Sequence, residues 1–328
     1  MRKVICIAAK IKSTLRELVE NKLSGHEIIW LEELDSRSRI EAIKRADIML
    51  ASLLTAELSA EEKSLLGSLE MIQTMSAGID QVDFSLFPAD ICLYSNTGGW
   101  AHAMAEHAFA MALACTRMLR PQTEALRNGN FDIYGYPMRL LSNCRVLVVG
   151  WGGIGSSAGK LFHLFGCSVE AVGRTAPVDT ILTKGWAMQD LLSALSQADI
   201  VLLSIPATNL TRRIINAQTL SVMKEDAILI NVARAELIDK QALEEHLQNH
   251  SRFFAALDVW WQERRHYPAA GETLLKLPNV IGSAHNSYIS PTANEEAAAN
   301  AIDNIIAFIE GKNVKGRAQI REYLKQQM

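Results

Sequence analysis

The apolar run Val146-Leu147-Val148-Val149 passes without a break into Gly150-Trp151-Gly152-Gly153-Ile154-Gly155, and then into a helical stretch over 156–165. A G-x-G-x-x-G loop in that setting leaves a chain few ways to fold. Gly150 permits a tight turn out of the strand, Gly152 lets a pyrophosphate approach the backbone, and Gly155 lets the helix pack close to the strand. The helix N-terminus, with its unpaired N–H groups, then faces the anion. The pattern predicts a dinucleotide-binding unit with Gly150, Gly152, Gly153, Ile154 and Gly155 around the cofactor.

That unit does not fill the chain. At 328 residues the sequence is long for one hydrophobic core, so two compact units are expected. Short β-branched runs at 4–9, 27–31, 48–53, 71–75 and 91–95 alternate with helical patterns such as 15–23 and 60–66, the latter with Ser59 as N-cap. A second series of runs follows at 146–149, 169–172, 200–205, 227–232, 255–259 and 280–283. Alternation of this kind predicts parallel sheets with helices on both faces, two doubly wound α/β domains. Thr97-Gly98-Gly99 marks the hinge, and a helix free of Gly and Pro is predicted from Ala101 to Leu119, stopped by Pro121. The alanine-rich segment 291–310 comes too late for the second sheet and is expected to return to the first domain.

Composition narrows the function classes. The 33 basic and 36 acidic side chains leave a formal charge of -3, which gives no general attraction to nucleic acid or anionic membrane. Neither partner is expected. Cys6, Cys92, Cys115, Cys144 and Cys167 are odd in number and never spaced as C-x-x-C, so reduced thiols are expected and no metal site is indicated. The apolar start is broken at Lys10, and the most apolar helix carries Glu106, His107 and Arg117, so a cytoplasmic protein is expected.

The strand after the glycine loop ends Val172-Gly173-Arg174-Thr175. An NAD-selective loop places an acid there to hold the ribose hydroxyls. Gly173 supplies none, while Arg174 and Thr175 offer a cation and a donor for a 2′-phosphate. NADP is therefore the expected cofactor, with NAD possible, the other reading of Arg174 being a solvated loop residue.

Three more strand ends carry polar groups: Asn231-Val232-Ala233-Arg234, Leu257-Asp258-Val259-Trp260-Trp261-Gln262-Glu263, and Ser283-Ala284-His285. Ligands bind outside the carboxyl ends of parallel strands. Taken singly, Arg234 could be an ion-pair partner, Glu263 a surface acid and His285 a loop histidine. Were a 2-keto acid the substrate, Arg234 could pair with its carboxylate by a planar fork, His285 could donate a proton to the carbonyl oxygen, and Glu263 could orient the imidazole and favour its charged form.

With Ser76-Ala77-Gly78-Ile79-Asp80, with Asn96–Gly99 ahead of Ala105-Glu106, and with the glycine loop, this order of motifs resembles the D-isomer-specific 2-hydroxyacid dehydrogenase family through nearly the whole chain. The resemblance implies a Rossmann NAD(P)-binding domain over 99–290 and a flavodoxin-like substrate-binding domain over 1–98 and 291–328. It implies Arg234, Glu263 and His285 as the catalytic residues. Substrate contacts would come from Ser76, Ala77 and Gly78, and further cofactor contacts from Thr97, Pro206, Val232 and Asp258. For Asp258 a strand-end cap is the other reading. It also implies a homodimer through the cofactor domain and a small 2-keto or 2-hydroxy acid substrate, as in glyoxylate or hydroxypyruvate reductases. A nicotinamide-sensing binding protein resembling the family's corepressor relatives is the alternative, and retention of all three polar groups argues against it.

The sequence departs from the family pattern in three places. Ala235 stands for a glycine, Arg264 for a proline, and Trp260 and Trp261 precede the acid. The stretch 264–271 reads as an insertion shaping the substrate entrance, with His266 facing solvent or touching substrate. His102 and His107 are expected to pack at a domain or subunit face.

Overall fold

A computed structural model describes residues 2–55, 57–88, 91–263 and 272–324. The chain divides into two compact units, Met1–Trp100 with Ser290–Met328, and Ala101–Ile289.

The first unit is built on five parallel strands, β1 (Val4–Ile7), β2 (Glu27–Trp30), β3 (Ile48–Ala51), β4 (Met71–Thr74) and β5 (Leu93–Tyr94), in the order β2-β1-β3-β4-β5. Its strands are apolar on both faces because both faces are covered. Ile5, Ile7, Ile48 and Leu50 pack with Val19 of the helix Ser13–Lys22 and with Ala301, Ile302 and Ile305 of the helix Ala293–Ile309. Cys6, Met49 and Ala51 point the other way, onto Ala42 and Ile43 of the helix Ser36–Arg45. The alanine-rich segment thus packs on the first sheet. Ser36–Arg45 has only two buried residues and no apolar run that would single it out in the sequence. Asp35 starts it by accepting from the Ser38 amide. Ser59 caps its own helix in a reciprocal box with Glu62.

The second unit holds seven parallel strands, β6 (Arg145–Val149), β7 (Ser168–Gly173), β8 (Lys184–Ala187), β9 (Ile200–Leu203), β10 (Ile228–Asn231), β11 (Phe254–Leu257) and β12 (Val280–Gly282). Their order, β12-β11-β10-β9-β6-β7-β8, reverses direction between β6 and β9, which makes the carboxyl ends of these two strands the switch point. The two doubly wound parallel sheets are the fold class the alternation predicted.

Three details differ from the sequence reading. The edge strand β8 was not foreseen: its Lys-Gly-Trp-Ala carries one large apolar side chain, Trp186, whose indole donates to Glu170 at 2.6 Å. Several strands end one or two residues early, because Ile205, Val232 and Val259 are buried beyond the last ladder bond and extend the apolar run into the loops. Pro121 does not stop the long helix. That helix ends at Thr116, Met118 turns into the left-handed region at φ 55°, and Leu119–Arg127 forms a new helix. Pro121 sits in its first turn, where a missing N–H leaves no bond unmade.

All five cysteines are free thiols, four of them buried. Among the described residues no helix is long and apolar enough to cross a membrane.

Candidate active site

The glycine loop forms the turn its residues permit. Gly150 leaves β6 at φ 105°, and a Cβ there would meet the Ser204 carbonyl oxygen at 2.9 Å. Gly155 opens the first turn of the helix Gly153–Leu164 so close to the loop that a Cβ would lie 1.9 Å from the Gly150 oxygen. At Gly152, the N-cap of that helix, a Cβ would meet nothing within 4 Å. A pyrophosphate needs that open face beside free amides, so Gly150, Gly152, Gly153, Ile154 and Gly155 fit a dinucleotide. Ser204, after β9, closes the switch point by donating from its hydroxyl to the Gly150 carbonyl at 2.8 Å.

Beside this loop, β7 ends at Gly173, where a side chain would crowd the Thr175 oxygen, 2.7 Å from a Cβ, and the Pro177 ring. Arg174 and Thr175 follow, both exposed. Pro206 is exposed in the loop after β9, and Val232 is fully buried after β10.

On the other side of the switch point the neighbouring strands β10, β11 and β12 each deliver one polar group. After β10, Asn231 shapes the turn. Its side-chain oxygen accepts from Ala233 N at 3.0 Å and its amide donates to Arg234 O at 2.8 Å. Arg234 donates from Nη1 to the Ala233 carbonyl at 2.8 Å.

After β11, Glu263 accepts from the Trp260 amide at Oε1 (2.7 Å), and its Oε2 lies 2.6 Å from Nδ1 of His285. The two side chains are 25% and 30% exposed. Burial alone would raise the Glu263 carboxyl. The bonds from His285 and Trp260, with the charges of His285 and Arg234, hold it below the ordinary carboxylate range. A carboxylate on Nδ1 leaves Nε2 of His285 as the ring atom that can exchange a proton with a ligand.

After β12, His285 has φ 50°, a left-handed conformation uncommon for a residue with a side chain. Asp258 holds it there. Its carbonyl accepts from His285 N at 2.8 Å, Oδ1 accepts from Asn286 N and Oδ2 from Ser287 N, both at 3.1 Å. The carboxylate is fully buried, which by itself would raise its pKa, yet the donors from Ser283, Ser287 and Asn286 keep it below the ordinary value. Geometrically Asp258 is a cap for the 285–287 turn, the second of its two readings. A carboxamide would have to share Oδ2 with Ser287.

His107 does not merely pack against a neighbour: its Nε2 lies 2.9 Å from the Ser283 hydroxyl. The sequence names both residues but not their contact, since nothing in their spacing ties a mid-helix histidine to a strand end far along the chain. The stretch 264–271, with His266, lies outside the described residues.

In the first unit, Ser76, Ala77 and Gly78 follow β4 in a half-buried turn closed by the Ser76 hydroxyl on the Gly78 carbonyl at 2.8 Å. Thr97 lies after β5, where a Cβ on Gly316 would come within 2.8 Å of its hydroxyl. Its neighbour Asn96 donates to Ala297 O at 2.9 Å, tying the turn to the returning helix.

Relatives share this chain along its length. A glycerate dehydrogenase from Methylorubrum extorquens is 28% identical, with 92% of this chain and 94% of that protein aligned. A glyoxylate reductase from Korarchaeum cryptofilum is 29% identical over 90% and 92%. The solved structure of a D-isomer-specific 2-hydroxyacid dehydrogenase from Xanthobacter autotrophicus, in complex with NADPH and MES, superposes with a TM-score of 0.79 at 21% identity, covering 99% of this chain and all of that one, a likeness of fold. The family model for the NAD-binding domain of D-isomer-specific 2-hydroxyacid dehydrogenases matches residues 109–287, a span that contains the glycine loop and all three polar strand ends. The chain therefore belongs to the D-isomer-specific 2-hydroxyacid dehydrogenase family.

Proposed function

We propose that this NAD(P)-dependent dehydrogenase interconverts a small 2-keto acid of the glyoxylate or hydroxypyruvate kind with its D-2-hydroxy acid, with NADP(H) preferred. The observation that carries the reading is the 2.6 Å contact between Glu263 and His285, on a strand end adjacent to the one that bears Arg234.

When bound, the reduced nicotinamide supplies a hydride to C2 of the keto acid. Arg234 pairs with the substrate carboxylate and draws charge toward the carbonyl oxygen. The backbone amides of Ala77 and Gly78, with Ser76, are assigned to the substrate. His285 gives a proton from Nε2 to the carbonyl oxygen as negative charge gathers there, and the Glu263 carboxylate on Nδ1 steadies the imidazolium beforehand. In the oxidative direction Nε2 takes the hydroxyl proton. Ala101–Ile289 is read as the cofactor domain and the remainder as the substrate domain. Thr97, Pro206 and Val232 are assigned to the cofactor with the glycine loop.

Preference for NADP(H) is supported by the absence of an acid at Gly173 and by the exposed Arg174 and Thr175 beside it. The near-neutral charge and the free thiols support a cytoplasmic enzyme working without nucleic acid or membrane. A homodimer is supported by the exposed apolar side chains of residues 119–140.

The test is the fall in reduced-cofactor absorbance with a panel of 2-keto acids, kcat/KM being measured with NADPH and with NADH. Turnover of glyoxylate or hydroxypyruvate, faster with NADPH, supports the proposal. Tight cofactor binding without turnover of any keto acid overturns it in favour of a sensor.

A further inference from the structure

We infer that Ser283 is a positioning residue for the Glu263–His285 pair, locked in place by His107 on one side and Trp260 on the other. The inference rests on the reading of His285 as the proton donor.

Every polar atom of Ser283 is engaged. Its amide donates to Leu257 O at 3.0 Å and its carbonyl accepts from the Trp260 indole at 2.8 Å. Its hydroxyl lies 2.6 Å from Asp258 Oδ1 and 2.9 Å from His107 Nε2. Proton bookkeeping fixes the direction of these bonds. A carboxylate only accepts, so the single hydroxyl proton goes to Asp258, and the serine oxygen must accept from His107. Nε2 of His107 therefore carries a hydrogen. Through this chain the helix Ala101–Thr116 grips the residue two places before His285 and, through Asp258, the cap that holds the left-handed turn at His285.

Trp260 works on the same pair from the opposite side. Its backbone N–H donates to Glu263 Oε1 at 2.7 Å while its indole N–H donates to Ser283 O. One residue therefore fixes both the carboxylate and the approach to the imidazole. The indole lies against Gly282, where a Cβ would come within 2.7 Å of Trp260 Cζ2. Phenylalanine keeps an aromatic ring there, smaller than the indole, and leaves the Ser283 carbonyl with one bond fewer. Trp260 is one of the two tryptophans that depart from the family pattern, so this grip belongs to the sequence in hand.

A catalytic group displaced by a fraction of an ångström loses rate while ligands still bind. The experiment compares Ser283→Ala, Ser283→Thr, His107→Leu, His107→Gln and Trp260→Phe in the full-length protein, with glyoxylate and NADPH as probes. Two readouts are taken: kcat against KM, and the downfield proton resonance of the Nδ1–H bond between His285 and Glu263, identified by its loss in His285→Ala. Ser283→Ala, His107→Leu and Trp260→Phe are expected to lower kcat about tenfold each, with KM for glyoxylate and Kd for NADPH within about twofold of the parent. They also shift or broaden the resonance. Ser283→Thr keeps the hydroxyl and His107→Gln keeps an N–H donor, so each recovers most of the lost rate. Variants that merely loosen the fold would not be rescued in this way.

Unchanged kcat and an unchanged resonance in Ser283→Ala and Trp260→Phe overturn the inference. A resonance that moves in these variants while His285→Ala keeps its turnover leaves the positioning intact and removes the acid role of His285, so the two ideas fail separately.

Discussion

Nδ1 of His285 and Oε2 of Glu263 approach to 2.6 Å from loops that leave the neighbouring strands β12 and β11. The bond spends one ring nitrogen of the histidine on orientation and leaves the other for chemistry. On the proposed mechanism His285→Ala removes the proton donor, and it is expected to lower kcat by about two to four orders of magnitude, with Kd for NADPH unchanged. Glu263→Gln keeps the shape and loses the charge that steadies the imidazolium, and a fall of about one to two orders of magnitude is expected. Steady-state rates with glyoxylate, alongside cofactor titration by fluorescence, check both. Wild-type turnover in His285→Ala would remove it from the mechanism.

On the proposed mechanism Arg234 holds the substrate in both the ground state and the transition state, so its loss should read differently. Arg234→Ala is expected to raise KM for the keto acid steeply as well as lowering kcat. Arg234→Lys, which keeps a charge but loses the planar fork, recovers only part of the affinity. A KM unchanged in both variants would place the carboxylate elsewhere.

The glycine loop separates binding from folding. At Gly152 a Cβ has open space, whereas at Gly155 it would lie 1.9 Å from a backbone oxygen. Gly152→Ala should therefore melt like the parent while binding NADPH at least about tenfold more weakly, since the methyl occupies the face a pyrophosphate approaches. Gly155→Ala should lose about 1–3 kcal/mol of stability through overpacking. Thermal melts with and without cofactor distinguish the two.

Much of the fold was legible in the sequence because polar groups and glycines mark the strand ends. An apolar run that stops at Gly150, Asn231, Asp258 or Ser283 announces both the strand and the loop that follows, and the two-sheet architecture comes from the same alternation. What was hidden has no local signature. Strand β8 is an edge with one large apolar side chain, and Ser36–Arg45 offers only Ile40, Ala42 and Ile43 among charged and hydroxyl residues. Pro121 reads as a stop until Met118 is seen to break the helix three residues earlier and make Pro121 part of a new first turn. The contact of His107 with Ser283 joins residues 176 positions apart, and only the packing of the helix Ala101–Thr116 on β10 and β11 brings them together.

A stacked pair of histidines sets a stability prediction. The rings of His246 and His250 stack at 4.0 Å, and Nε2 of His246 is buried without a hydrogen-bond partner. Burial, with His250 beside it, pushes the His246 imidazole down to about 4. Its unfolded value is about 6.5, so the unfolded chain binds the extra proton first. The stability this neutral ring contributes is complete above about 6.5 and is lost as pH falls toward the folded value near 4. Urea unfolding at pH 7 and pH 5 should show a weaker fold at pH 5, and His246→Leu should shrink that difference. An equal loss in the variant would assign the acid sensitivity to other groups.

The helix Leu119–Arg127 buries none of its residues, and the segment after it leaves Phe131 78% and Tyr134 92% exposed. Leu119, Leu126 and Leu140 are more than half exposed in the same stretch. So much apolar surface over one run of chain suits a face covered by a second copy, and two-fold pairing buries the same patch on both copies at once. Light scattering should give a mass twice that of the 36.2 kDa chain. Phe131→Asp with Tyr134→Asp puts like charges on the patch and should halve that mass, while a parent protein that already runs as a single chain would leave the exposed residues to another partner.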